Sequence, residues 1–189
     1  VESPIKSSEV NADIIAITHN HEDHLDPISL PEIARTSLRT KFLGPTSCCW
    51  RLAQLGVSID KIVEMKIGKD NVVNGVKVKS VPAHHPDLFS PQWDSIGYLF
   101  DLGGVRVYFT GDSLLEWEIF DMKHYKPVDI MFVGINGAGS NMNEEEAAVL
   151  AKEIDPKIVI PMHYGMFKEA GPGKPEIFLD NLRRFGVKS

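Results

Sequence analysis

Asp13-Ile14-Ile15-Ala16-Ile17-Thr18, running straight into His19-Asn20-His21-Glu22-Asp23-His24, is the stretch on which the fold and the chemistry turn. Its first half is a short apolar run of the kind that makes a buried strand. Its second half packs three histidines and an aspartate into six positions. Imidazole and carboxylate together suit zinc, manganese or iron. A strand end followed by a tight loop turns alternate side chains toward one point. His19 and His21 are therefore expected to face one ion, and Asp23 and His24, around the next bend, a second. The competing reading is a solvated polar loop that happens to be rich in histidine, and the density of ligating side chains speaks against it.

Two ions need more ligands than this stretch holds, and three other apolar runs end in candidates. Ser80-Val81-Pro82-Ala83 leads to His84-His85, Tyr108-Phe109-Thr110-Gly111 to Asp112-Ser113, and Ile158-Val159-Ile160-Pro161-Met162 to His163. A histidine or aspartate after one strand is more often a cap or a surface group. Recurrence at three strand ends, beside the first cluster, points to a common edge. Strand alternation puts His84 and His85 on opposite faces, so only one of them can reach the ions.

Around these runs the chain alternates strands with helices. Helical patterns cover residues 27–38, 45–55, 144–154 and 175–185, and Asn143 with Glu146 makes a capping box before the third. A short strand is expected at 41–43. Asn74-Gly75 supplies the two positive-φ positions of a type I′ hairpin over 72–78, and Gly103-Gly104 sits between paired runs at 96–101 and 105–110. Residues 128–133 and 157–161 are further β-rich runs. Hairpins followed by interleaved helices imply a mixed sheet with helices packed on it, an α/β (α+β) arrangement.

The 189 residues suit a single domain, 1–189, with a sizeable core. No apolar run is long enough for a membrane span. A net charge of -6 argues against a general nucleic-acid-binding face. The two cysteines, Cys48 and Cys49, are adjacent and read as reduced core residues, which suggests the cytoplasm. The loop Gly134-Ile135-Asn136-Gly137-Ala138-Gly139-Ser140-Asn141 is either a glycine-rich connection or a pocket wall offering backbone N–H groups or Asn136 to an anionic substrate. Asp87-Leu88-Phe89-Ser90-Pro91-Gln92-Trp93, just past His85, is read as a substrate-side flap, and His124 as a surface residue.

In order along the chain, these motifs resemble the motif set of the metallo-β-lactamase superfamily. That resemblance implies a four-layer αβ/βα sandwich with a dinuclear site at one edge of its two sheets. It also implies roles. His19, His21 and one of His84/His85 would hold the first ion, with His85 preferred because relatives place the ligand three residues after the Pro. Asp23, His24 and His163 would hold the second, with Asp112 bridging. Asp23 would double as the catalytic group, and His84 and Asn136 would face the substrate. Within the superfamily the chain is similar to the L-ascorbate-6-phosphate lactonase-like branch, through Thr18 to Asp26, Phe42-Leu43-Gly44-Pro45-Thr46-Ser47-Cys48 and the stretches around Asp112 and His163. The expected function is hydrolysis by a metal-activated water, lactonase-like, on a small sugar-derived substrate that can carry a phosphate, with two divalent ions, Mn or Zn, and Fe as a third choice. The alternatives are a phosphodiesterase of the same fold and a catalytically silent metal-binding module. A small-molecule substrate and no nucleic-acid or membrane partner are expected, and the sequence leaves a homo-oligomer open. The family's opening strands are not found before residue 13, so the N-terminus is expected to be trimmed.

Overall fold

A computed structural model describes residues 5–86, 94–116, 125–165 and 173–187. The elements are β1 (Ile14–Ala16), α1 (Ser29–Thr36), β2 (Lys41–Gly44), α2 (Thr46–Gln54), β3 (Ile62–Glu64), β4 (Asp70–Val73), β5 (Val76–Pro82), β6 (Ile96–Leu102), β7 (Val105–Phe109), β8 (Ile130–Gly134), α3 (Glu144–Ile154), β9 (Ile158–Met162) and α4 (Pro175–Phe185). β1, β2 and β3 form a small parallel sheet, and β4 to β9 a six-stranded mixed sheet in sequential order.

Three apolar clusters define four layers. Leu30 and Ile33 of α1 and Cys48 and Leu52 of α2 pack with Ile17 and Phe42 on the outer face of the small sheet. Leu43, Met65, Val78, Ile96 and Tyr98 fill the space between the sheets. Tyr108, Met131 and Val133 meet Leu150, Ile154, Phe178 and Leu182 of α3 and α4 on the outer face of the large sheet. Helices, sheet, sheet and helices thus stack in the order that the resemblance implies.

The local signals act as expected where they are strong. Asn74 (φ 49) and Gly75 (φ 82) close the β4–β5 hairpin, and Gly103 (φ 66) and Gly104 (φ 92) close β6–β7. Asn143 accepts from the Glu145 and Glu146 backbone, and the Glu146 side chain returns the bond. Short elements escape the pattern. β3 has three residues, too few to show a period, and lies outside the expected strands. Both early helices are shorter than their patterns, because Pro45 caps α2 from outside and α1 begins only at Ser29.

Strand direction, more than strand length, decides where the site forms. β5 and β7 both pair antiparallel with β6, and β7, β8 and β9 run parallel. The C-terminal ends of β5, β7, β8 and β9 therefore open on one edge. β1 reaches the same edge from the small sheet, tied there by Ile96 N–H donating to the Thr18 carbonyl at 3.0 Å. The buried Tyr98 hydroxyl donates to the Ile17 carbonyl at 2.7 Å and lies 3.3 Å from that of Leu43. No helix among the described residues is long and apolar enough to cross a membrane.

This packing can be tested at the sheet interface and at the two thiols, one buried and one half-buried. Tyr98→Phe keeps the ring and removes the inter-sheet donor, and is expected to lower the unfolding free energy by about 1–3 kcal/mol in urea denaturation. An unchanged midpoint would show that the hydroxyl contributes nothing. Burial pushes the Cys49 thiol up to about 11 and that of Cys48 well up also. At pH 8 the folded protein should therefore react slowly with a thiol reagent, speeding as pH rises toward the Cys49 value, while the unfolded chain reacts at once. Rapid labelling of both thiols at pH 8 would contradict the burial of Cys48 and the half-burial of Cys49.

Candidate metal centre

Each strand end brings its side chain to the shared edge for a local reason. After β1 the chain turns tightly, with His24 N–H and Leu25 N–H both donating to the His21 carbonyl at 3.0 and 2.7 Å. Leu25, 1% exposed, anchors the turn in the core. After β7, Gly111 adopts φ +64, and a Cβ there would lie 2.9 Å from the Thr18 side chain, so only glycine lets this strand end pass beneath the histidine loop. After β9, His163 itself takes φ 58, a left-handed conformation costing a non-glycine residue about 1 kcal/mol or more.

The result is two groups of ligating atoms. His21 Nδ1 lies 2.9 Å from His19 Nε2 and 3.2 Å from His85 Nε2. On the other side, His24 Nε2 is 3.3 Å from His163 Nε2, and Asp23 Oδ2 is 3.7 and 3.5 Å from those two nitrogens. Asp112 Oδ2 stands 3.5 Å from His24 Nε2 and 3.4 Å from His163 Nε2. His19, His24 and Asp112 form a third overlapping group that joins the other two.

These atoms fit metal ions. A tetrahedral ion with ligands at about 2.0–2.1 Å holds them about 3.3 Å apart, close to the spacings seen. Three imidazole nitrogens converge at His21, where a single proton would have to be shared between two neighbours, whereas a cation takes the lone pair of each neutral ring. Asp112 Oδ1 is buried with no hydrogen-bond partner among the described residues, an arrangement costing about 1–3 kcal/mol unless a cation takes the oxygen.

The electrostatics keep the set ready for cations. Burial, and then the charge of His24, hold the His19 imidazole down to about 3, so its ring is neutral at pH 7. Burial also lowers His85. The hydrogen bond from His163 holds Asp23 down to about 2, and the same contact raises His163. Burial works to raise Asp112, but the hydrogen bond and charge of His24, the charge of His163 and the Asn141 amide outweigh it and keep the carboxylate ionised.

All seven expected ligands, His19, His21, Asp23, His24, His85, Asp112 and His163, thus lie together at one edge. His84 turns aside, its Nδ1 2.6 Å from Glu116 Oε1. Asn136 is 4% exposed and its amide donates to the Ala138 carbonyl at 3.2 Å, inside its own loop. Residues 87–93, read as a flap, and His124 lie outside the described residues. Three contacts go beyond the sequence reading. The Thr18 hydroxyl lies 3.0 Å from His19 Nδ1, the Ser140 carbonyl lies 3.3 Å from His85 Nδ1, and Asn141 Nδ2 donates to Asp112 Oδ2 at 2.9 Å. A carbonyl leaves no mark on a sequence. Thr18 and Asn141 are visible there only as neighbours of motifs.

Comparison with known proteins agrees with the geometry. Residues 2–163 match the Beta-lactamase superfamily domain. A UPF0173 metal-dependent hydrolase of Polynucleobacter asymbioticus is 32% identical over 168 residues, covering 80% of this chain and 58% of its own length. One from Archaeoglobus fulgidus is 33% identical over 175 residues, covering 87% and 71%. Among solved structures, a metallo hydrolase from Ignicoccus hospitalis superposes with a TM-score of 0.80 at 25% identity, over 96% of this chain and 76% of that one. This chain accordingly spans little more than half the length of the first of these relatives. With its histidines and aspartates gathered at one edge of a four-layer fold, the chain belongs to the metallo-β-lactamase superfamily, among its metal-dependent hydrolases.

Proposed function

We propose that this chain is a hydrolase that opens a small, polar, sugar-derived lactone, using two divalent ions, Mn or Zn, with Fe also accepted by the ligand set. The observation that carries the substrate reading is a groove of about 520 Å³ lined by Asn20, Thr46, Ser47, Trp50, Arg51 and Asp94. Asn20, Ser47 and Asp94 also line a cleft shared with His19, His21 and His85, so the groove opens beside the first histidine group. Its size suits one small molecule. Its walls are mostly apolar in area but set hydroxyl, amide and carboxylate groups, one exposed indole and one cation along it, the partners that a hydroxylated ring would meet.

In this reading His19, His21 and His85 would hold one ion and Asp23, His24 and His163 a second, with Asp112 standing beside both groups. Divalent ions held there would supply Lewis acidity, lowering the pKa of water toward about 7 and polarising a carbonyl. Asp23 is ionised at neutral pH and partly open to solvent. It orients the water and takes up its proton as oxygen adds to the lactone carbonyl. The ring C–O bond then breaks, and the departing oxygen regains a proton to leave a hydroxy acid. His84, steadied by Glu116, stands on the substrate side of His85. Asn136 shapes the loop opposite. The unpaired thiols of Cys48 and Cys49 fit a reducing compartment, and we place the protein in the cytoplasm on that ground.

The test is turnover of the metal-stripped protein, before and after refilling with Mn, Zn or Fe, on lactones, phosphodiesters and thioesters. Lactone hydrolysis restored by metal is expected, with His21→Ala and Asp112→Ala lowering kcat/KM about 100-fold or more. Full turnover by the stripped protein sinks the metal mechanism. Preference for phosphodiesters replaces the lactone reading, and inactivity of the loaded protein on every class makes the chain a silent metal-binding module.

The two neighbouring histidines separate cleanly by metal titration. His85→Ala, which removes a donor itself, should weaken metal binding by more than the roughly 10–100-fold that loss of an outer-shell partner costs, whereas His84→Ala should leave it unchanged. Equal losses would mean that His84 also coordinates.

A further inference from the structure

Four described non-glycine residues have positive φ. Asn74 sits in a hairpin turn and Asp155 caps the C-terminus of α3, both ordinary places for that conformation. Ser140 (φ 63) and His163 (φ 58) have no such local reason, and both stand at the metal centre. His163 is itself one of the gathered ligands. Ser140 belongs to the loop between β8 and α3.

That loop is fixed at both ends. Ile135 N–H donates to the Met162 carbonyl at 3.2 Å, Gly137 N–H to Met142 at 3.0 Å, and Met142 N–H to Ser113 at 2.8 Å. Met142 is 1% exposed. The last of these bonds pins the loop to the residue after Asp112. From this base, two consecutive residues reach into the two halves of the site. The Ser140 carbonyl faces His85 Nδ1 at 3.3 Å, so that nitrogen carries the proton and Nε2 is left with its lone pair toward His21. Asn141 Nδ2 donates to Asp112 Oδ2 at 2.9 Å, in a bond that both partners bury. The other end of the amide, Oδ1, is buried with no partner among the described residues. The contact with Asp112 is therefore the side chain's polar contribution.

We propose that this loop is the positioning element of the metal centre, and that Asn141 is a positioning residue that aims the Asp112 carboxylate and thereby sets metal affinity. The inference rests on the metal-centre reading of the site. Removing the amide frees Asp112 to rotate and leaves its charge less compensated while the ligands themselves stay in place. Outer-shell partners of this kind change metal affinity about 10–100-fold when lost.

The experiment compares the wild-type chain with Asn141→Ala and Asn141→Leu, each stripped of metal and titrated with Mn²⁺ and Zn²⁺ against a competing chelator. Thermal midpoints of the metal-free forms are measured alongside. Leucine restores most of the lost volume without a donor, so it separates packing from hydrogen bonding. Both variants should bind metal about 10–100-fold more weakly, with metal-free midpoints lowered alike by loss of the buried donor but still well above the temperature of the titration. Wild-type affinity in both variants, or affinity restored by leucine alone, overturns the proposal. A wild-type chain that binds neither ion overturns the metal-centre reading and this inference together.

Discussion

Asp112 is a carboxylate held at 4% exposure, and the arrangement around it comes from having to compensate that charge. An isolated carboxylate in such a place carries a penalty of several kcal/mol. Here His24 and His163 lie 3.5 and 3.4 Å from Oδ2 and Asn141 donates to the same oxygen. Oδ1 remains without a protein partner among the described residues. A carboxylate compensated on one oxygen and left open on the other keeps one oxygen available to a cation. The compensation comes from three separate places in the chain, so the fold has to deliver β1, β7, β9 and the loop after β8 to one point.

The two sheets make that delivery possible. Parallel and antiparallel pairing in the large sheet leaves β5, β7, β8 and β9 ending on one side. The small sheet is clamped to it behind the histidine loop by the Tyr98 hydroxyl and by the bond from Ile96 to Thr18. Gly111 then lets Asp112 pass close beneath Thr18. The three apolar layers make the strand ends rigid, and the rigidity is what keeps five imidazoles within contact of one another although each would be better solvated alone.

Much of this is legible in the sequence, for physical reasons. Histidine and aspartate after an apolar run mark a strand that ends at a site, and the four such runs in this chain supply all seven side chains gathered at the edge. Asn74-Gly75 and Gly103-Gly104 mark two hairpins because positive φ at both positions admits few other residues. What escapes are features without a residue signature. β3 is too short to show alternation. The Ser140 carbonyl is backbone. Asn136 draws notice within the glycine-rich loop, but Asn141, five residues later, makes the contact with Asp112, and nothing local distinguishes the two. The choice between His84 and His85 needs the strand's orientation, which the pairing of His84 with Glu116 makes plain.

A fold of this kind hosts many reactions, and the reaction is decided by what occupies the site and its groove. The proposed mechanism requires two ions, one on either side of Asp112. Anomalous X-ray diffraction from crystals of the metal-loaded protein, at the absorption edge of the bound ion, tests it most directly. Two peaks are predicted, one among His19, His21 and His85 and one among Asp23, His24 and His163, with Asp112 touching both. A single peak, or metal bound away from Asp112, would contradict it.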